Sequence, residues 1–153
     1  MNPMTTPYRP PMPYRLPWQM PVAKLPPAAS HAGQKIWVTD LHEGLAGYCA
    51  SDGVNWIPDR TSAIATRSAA SAIQLKPLVH RPIQRFTANI PLAGLAVTFD
   101  AAGAWNGLTW RIIRTGAGTG LLGILGKTLA AGQVIEVGFD GTTFVQVSPI
   151  SLL

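Results

Sequence analysis

The sequence predicts an all-β protein. An antiparallel β-sandwich or jelly-roll-like C-terminal domain follows a small β-hairpin module and an extended, proline-rich N-terminal arm. Three observations point there. Short runs of β-branched and aromatic residues recur along the second half, separated by Gly, Asn and Asp. No long segment carries a helical apolar period. Nine of the fourteen prolines fall within the first 27 residues, which excludes regular structure there.

The arm comprises residues 1–30. Proline fixes φ and removes a backbone donor, so an extended, polyproline-like path is expected. Linkers are usually polar, yet Tyr8, Tyr14, Leu16, Trp18 and Met20 are interleaved with the prolines. Arg9, Arg15 and Lys24 add positive charge, and no acidic residue precedes Asp40. These eight side chains are the expected anchoring residues. An arm already restricted by proline loses less entropy when it docks.

Residues 31–58 form the hairpin module. Lys35–Val38 has strand composition, and Asp52-Gly53 is a hairpin signal. A two-residue loop there would set Cys49 opposite Trp56. Asp40, His42 and Glu43 lie between, in what reads as a solvated loop. Residues 59–72 are a connector rich in Ala, Ser and Thr, expected as loop or short helix.

Residues 73–153 form the main, oligomerising domain. Expected strands are 74–78, 83–88, 95–99, 109–114, 121–125, 134–139 and 144–147. Asp140-Gly141 marks the last hairpin, with Phe139 and Phe144 on one face with Ile135 and Val137. Trp37, Trp56, Trp110, Phe139 and Phe144 are the expected core or interface aromatics. An internal echo joins the two parts. Ala32-Gly-Gln-Lys-Ile-Trp-Val38 parallels Ala131-Gly-Gln-Val-Ile-Glu-Val137, and each precedes an Asp-Gly turn and an aromatic.

Composition limits the functional classes. Charged residues make up 12% of the chain and apolar residues 47%, against about 25% charged in typical domains. So little charge leaves apolar surface that a neighbour is expected to cover. The net charge is +5, but the cations are scattered, so neither nucleic acid nor membrane is the expected partner. The lone Cys49 excludes an internal disulfide and a cysteine-based zinc site. Gly118-Thr-Gly-Leu-Leu-Gly123 matches a dinucleotide pattern, but too little chain follows for a parallel α/β sheet. Its glycines read as turn or close-approach positions. No catalytic residue, metal or cofactor is expected. Two competing classes remain: Trp37, Trp56, Trp105 and Trp110 could offer a glycan-stacking surface, and a hydrolytic enzyme would depend on His42.

Two stretches carry a resemblance. Ala32-Gly-Gln-Lys-Ile-Trp-Val-Thr-Asp40 with Ser51-Asp-Gly-Val-Asn-Trp56 resembles a short module of bacteriophage tail, collar and fibre proteins. Trp110–Gly118, Lys127-Thr-Leu-Ala-Ala-Gly-Gln133 and Asp140-Gly-Thr-Thr-Phe144 are similar to the C-terminal parts of phage structural domains. Phe144 stands where tryptophan is common. The resemblance implies a homotrimeric virion component: a head fibre, decoration, collar or neck protein, attached to a capsid, portal, neck or tail protein. The alternative it implies is a receptor- or glycan-binding tail-fibre tip. The Gly116–Gly126 segment is expected to line the threefold axis.

Overall fold

The computed structural model describes residues 18–59 and 63–153. The chain is all-β, built as three sheets around one continuous apolar cluster.

The first sheet gathers β1 (Gln19–Met20), β2 (Lys35–Asp40), β3 (Leu45–Ser51) and β4 (Trp56–Pro58), in that order. Strand β2 alternates because its tryptophan and β-branched residues suit a half-buried pleat; Ile36 and Val38 point inward and Lys35 outward. The β3–β4 loop has four residues, not two, so Ser51 faces Trp56 and Cys49 faces Pro58. The Asp52 side chain decides this. Its Oδ1 accepts the Val54 and Asn55 N–H groups at 2.7 and 2.6 Å, closing an Asx turn that a two-residue hairpin cannot hold.

Next come β5 (Ile64–Arg67), β6 (Ile73–Leu75), β7 (Ile83–Phe86), β8 (Leu95–Phe99), β9 (Thr109–Arg114) and β10 (Leu122–Ile124). Then follow β11 (Lys127–Leu129), β12 (Gln133–Phe139), β13 (Phe144–Gln146) and β14 (Ser151–Leu152). From β5 to β10 successive strands alternate between two sheets. One sheet has the order β11-β10-β8-β6; the other runs β13-β12-β9-β7-β5, with β14 also on β12. Inward residues of both, Val97 and Leu122 from one, Ile112 and Ile135 from the other, share the core.

The sandwich is therefore mixed where antiparallel pairing was expected. β5, β7 and β9 are parallel neighbours, as are β6, β8 and β10. A parallel pair needs a crossover of a dozen or more residues. Here the crossover is a strand of the opposite sheet with its two corners, so the chain winds as a flat coil. Alternation within a strand is the same for either pairing, which is why the pattern could not reveal it. Antiparallel hairpins return in β10–β11 and β12–β13.

The expected connector also contributes a strand. Ile64–Arg67 pairs with β7 from Ile64–Ile83 to Arg67–Phe86. The β-branched Ile64 and Thr66 face outward and Ala65 packs inward, so sheet pairing overrides alanine's helical preference.

The coil's successive corners stack at glycine. Residues 115–121 run against residues 87–94. Added Cβ atoms would fall 2.7 Å from the Thr87 carbonyl carbon at Gly116, and 2.5 Å from the Pro91 carbonyl carbon at Gly120. The close approach lets Thr115 and Gly116 N–H reach Phe86 O at 2.9 and 3.0 Å. The space beside Gly116 and Gly120 is thus filled by their own chain. Arg114, fully buried, clamps the corner by donating to Leu129 O and Gly118 O at 2.8 and 2.9 Å.

Candidate functional site: the arm root, the polar joint and an apolar sheet face

Tyr8, Arg9, Tyr14, Arg15 and Leu16 lie outside the described residues. From Trp18 onward the expected extended arm is folded onto the first sheet. Prolines 17 and 21 bracket three non-proline residues, room for a two-residue edge strand. The pair Gln19–Met20 aligns in parallel with Trp37–Val38. Trp37 N–H donates to Trp18 O at 3.0 Å, and Val22 N–H to Asp40 Oδ1 at 2.6 Å. Trp56 Nε1 donates to Pro26 O at 2.8 Å, and Ser51 Oγ to Ala28 O at 2.7 Å. Three of these ties supply a body donor to an arm carbonyl, and in the fourth the arm's own Val22 N–H donates to the Asp40 carboxylate. Met20 packs against the chain's own core, so it is not free for a partner's socket. Trp18 keeps 60% of its surface exposed, and Lys24 is exposed.

The two Asp-Gly turns are the same device. Phe139 faces Phe144 as Ser51 faces Trp56. Asp140 Oδ1 accepts Thr142 and Thr143 N–H, both at 2.8 Å. Gly53 and Gly141 take φ of 92° and 101°, conformations that favour glycine. Backbone donors aimed at the carboxylates hold Asp52 and Asp140 below the usual aspartate range. Phe139 and Phe144 are buried and tilted at 5.0 Å, and Phe144 stacks on Phe99.

Trp56, Trp105 and Trp110 are buried, Trp110 to 1% exposure. Trp37 is half-buried with its ring edge-on to Tyr48 at 4.8 Å. These four rings form no exposed stacking platform, which removes the support for glycan recognition through them. Cys49 is wholly buried; loss of solvation, with Asp59 adding repulsion, pushes its thiol up to about 12.

The Asp40–Glu43 stretch is a polar joint and not the solvated loop expected. His42 and Glu43 both adopt left-handed backbone, with φ of 49° and 63°. Their N–H groups donate to Leu78 O and Val79 O, each at 2.7 Å. Leu78 is itself left-handed at φ 62°, so two strained corners brace each other. His42 is buried and its Nδ1 donates to His80 O at 2.9 Å. Arg81 Nε donates to His42 O at 3.2 Å, and Glu43 pairs with Arg67 and, at 3.8 Å, with Arg81. Arg67 also donates to the buried Gln84 Oε1 at 2.7 Å. His80 Nδ1 accepts the Lys76 N–H at 2.9 Å. Partial burial holds its pKa below the usual histidine value, against the pull of Glu43 and with a push from Arg67. Sequence reasoning missed Arg67, His80, Arg81 and Gln84. Their spacing carries no motif; the coil brings them together. Among the described residues no group of three His, Cys, Asp or Glu is placed to hold a metal ion, and no helix is long and apolar enough to cross a membrane.

The third feature is the outer face of the β11-β10-β8-β6 sheet. Ala96, Gly123 and Thr128 lie side by side in register across it. A hollow of about 670 Å³ opens at the Phe99–Leu125 end, with Phe144 in its wall. A second, of about 510 Å³, opens at the Leu92–Leu121 end, and both share Ala96, Gly123 and Thr128. The Gly118–Gly123 pattern thus serves packing: Gly118 and Gly120 against residues 89–91, Gly123 on this small-residue row. The chain matches no protein-family model, and neither curated proteins nor solved structures gave a match.

Proposed function

We propose that this chain is a structural component of a bacteriophage-like virion, held to a capsid, portal, neck or tail protein by residues 1–17. The observation that carries the proposal is the stitched root of the arm. An anchor transmits force only if the chain is fixed where it leaves the body. Four hydrogen bonds, Trp37–Trp18, Val22–Asp40, Trp56–Pro26 and Ser51–Ala28, fix it there. Tyr8, Tyr14 and Leu16 then supply apolar side chains for sockets, and Arg9 and Arg15 pair with acidic groups. Trp18, at 60% exposure, sits where arm and body meet. The low charge content and the resemblance to phage modules support self-assembly, with a homotrimer as the form the resemblance implies.

Removing residues 2–17 tests the anchor, because the fold's own ties begin at Trp18. The truncated chain should fold, assemble and fail to join particles. Incorporation at the full-length level would overturn the proposal.

A further inference from the structure

We infer that the outer face of the β11-β10-β8-β6 sheet is where the chain packs against a second copy of itself; this rests on the self-assembling reading above. The face is built for close approach. Its central row, Ala96–Gly123–Thr128, carries no side chain larger than threonine, so a neighbour can come nearer than the roughly 10 Å usual between stacked sheets. The ends supply the grip. Leu92 is 84% exposed and Leu121 43% at one end; Leu125 is 40% exposed at the other.

Leu125 is informative by its backbone. It holds φ +50°, followed by Gly126 at φ +73°, in the two-residue turn joining Ile124 to Lys127. Such a turn favours Asn or Asp at the first position. A leucine there is strained and 40% exposed, and strain of this kind clusters at sites that make functional contacts.

Charge selects the occupant. Each copy carries a formal +5, so two copies repel least when they meet through faces nearly free of charge. Among the described residues lining the two hollows, Lys127 alone is charged. The opposite sheet differs: β7 and β9 expose Arg85 and Arg111, and β12 carries the half-buried Glu136 beside Arg111. A partner that docks through charge finds only Lys127 to pair with on this face. A second copy finds a surface nearly free of charge, like its own, with projecting leucines beside two open hollows.

The full-length chain, compared with Ala96→Lys/Thr128→Lys and with Leu92→Lys in sedimentation velocity, tests this. Circular dichroism and thermal unfolding check that the variants stay folded, since all three positions are exposed. Wild type should assemble, and both variants should associate at least about tenfold more weakly. Thr109→Lys, on the outer face of the other sheet, should leave assembly unchanged. A monomeric wild type, or a folded Ala96→Lys/Thr128→Lys chain assembling like wild type, overturns the inference. Attachment is read on particles and assembly in solution. A lysine variant that still assembles therefore leaves the anchor proposal standing, and an arm-deleted chain that still attaches overturns the anchor alone.

Discussion

Replacing Gly120 by alanine should cost about 3 kcal/mol, whereas the same change at Gly123, three residues on, should be nearly neutral. The backbone at Gly120 lies in a region any residue can adopt, so the penalty is steric. An added methyl would sit 2.5 Å from the Pro91 carbonyl carbon and 2.9 Å from Ile90 O. These atoms are backbone and cannot swing aside. To admit the methyl, the 115–121 corner must lift from residues 87–94. That breaks the Gly120–Ile90 and Leu95–Leu121 hydrogen bonds, 3.3 and 3.0 Å long, worth about 1 kcal/mol each. Lost packing along the seam adds at least about 1–2 kcal/mol. The lower entropy of alanine in the unfolded chain returns about 0.4–1 kcal/mol. At Gly123 the methyl would meet Leu95 O at 3.5 Å, an ordinary contact. With roughly 2–4 °C per kcal/mol at this chain length, Gly120→Ala should melt about 6–12 °C below wild type, and Gly123→Ala within about 2 °C of it. Thermal unfolding by circular dichroism, with urea midpoints as a second measure, reads the difference. Equal melting temperatures for the two variants would refute the stacked-corner account.

Arg114→Ala removes the donors to Leu129 O and Gly118 O and leaves a cavity at a fully buried site; a loss of roughly 3–5 kcal/mol is expected from urea denaturation. Cys49, with its thiol raised to about 12 and no exposure, should resist a thiol reagent at neutral pH and react fully in denaturant; rapid reaction of the native protein would contradict its burial. Asp52 and Asp140 have lowered folded-state pKa values, so their stabilisation is complete above the unfolded value of about 3.9 and is lost as pH falls through the folded values. Asp52→Asn/Asp140→Asn should therefore flatten the acid limb of melting temperature against pH, and an unchanged limb would show that the turn carboxylates do not govern it.

Local chemistry was legible in the residues themselves. Asp-Gly before an aromatic specified a hairpin because the aspartate caps the turn and glycine tolerates positive φ. The alternation of Ile135, Val137 and Phe139 named a buried face because a strand's side chains repeat every two residues. The prolines read as excluding regular structure from the arm, yet between two of them Gln19–Met20 pairs as an edge strand. Which strands lie together is a different matter. A strand reads the same whether its neighbour is parallel, antiparallel or in the opposite sheet. The alternation between sheets from β5 to β10 arose from corner geometry and from the burial of two faces at once. The polar joint is likewise tertiary: Glu43, from the first sheet, is far in sequence from Arg67 and Arg81 and meets them only where that sheet abuts the coil. The glycines of Gly116–Gly120 could be recognised as close-approach positions, but what approaches them, the Thr87–Pro91 backbone, is fixed only when successive turns of the coil close on each other.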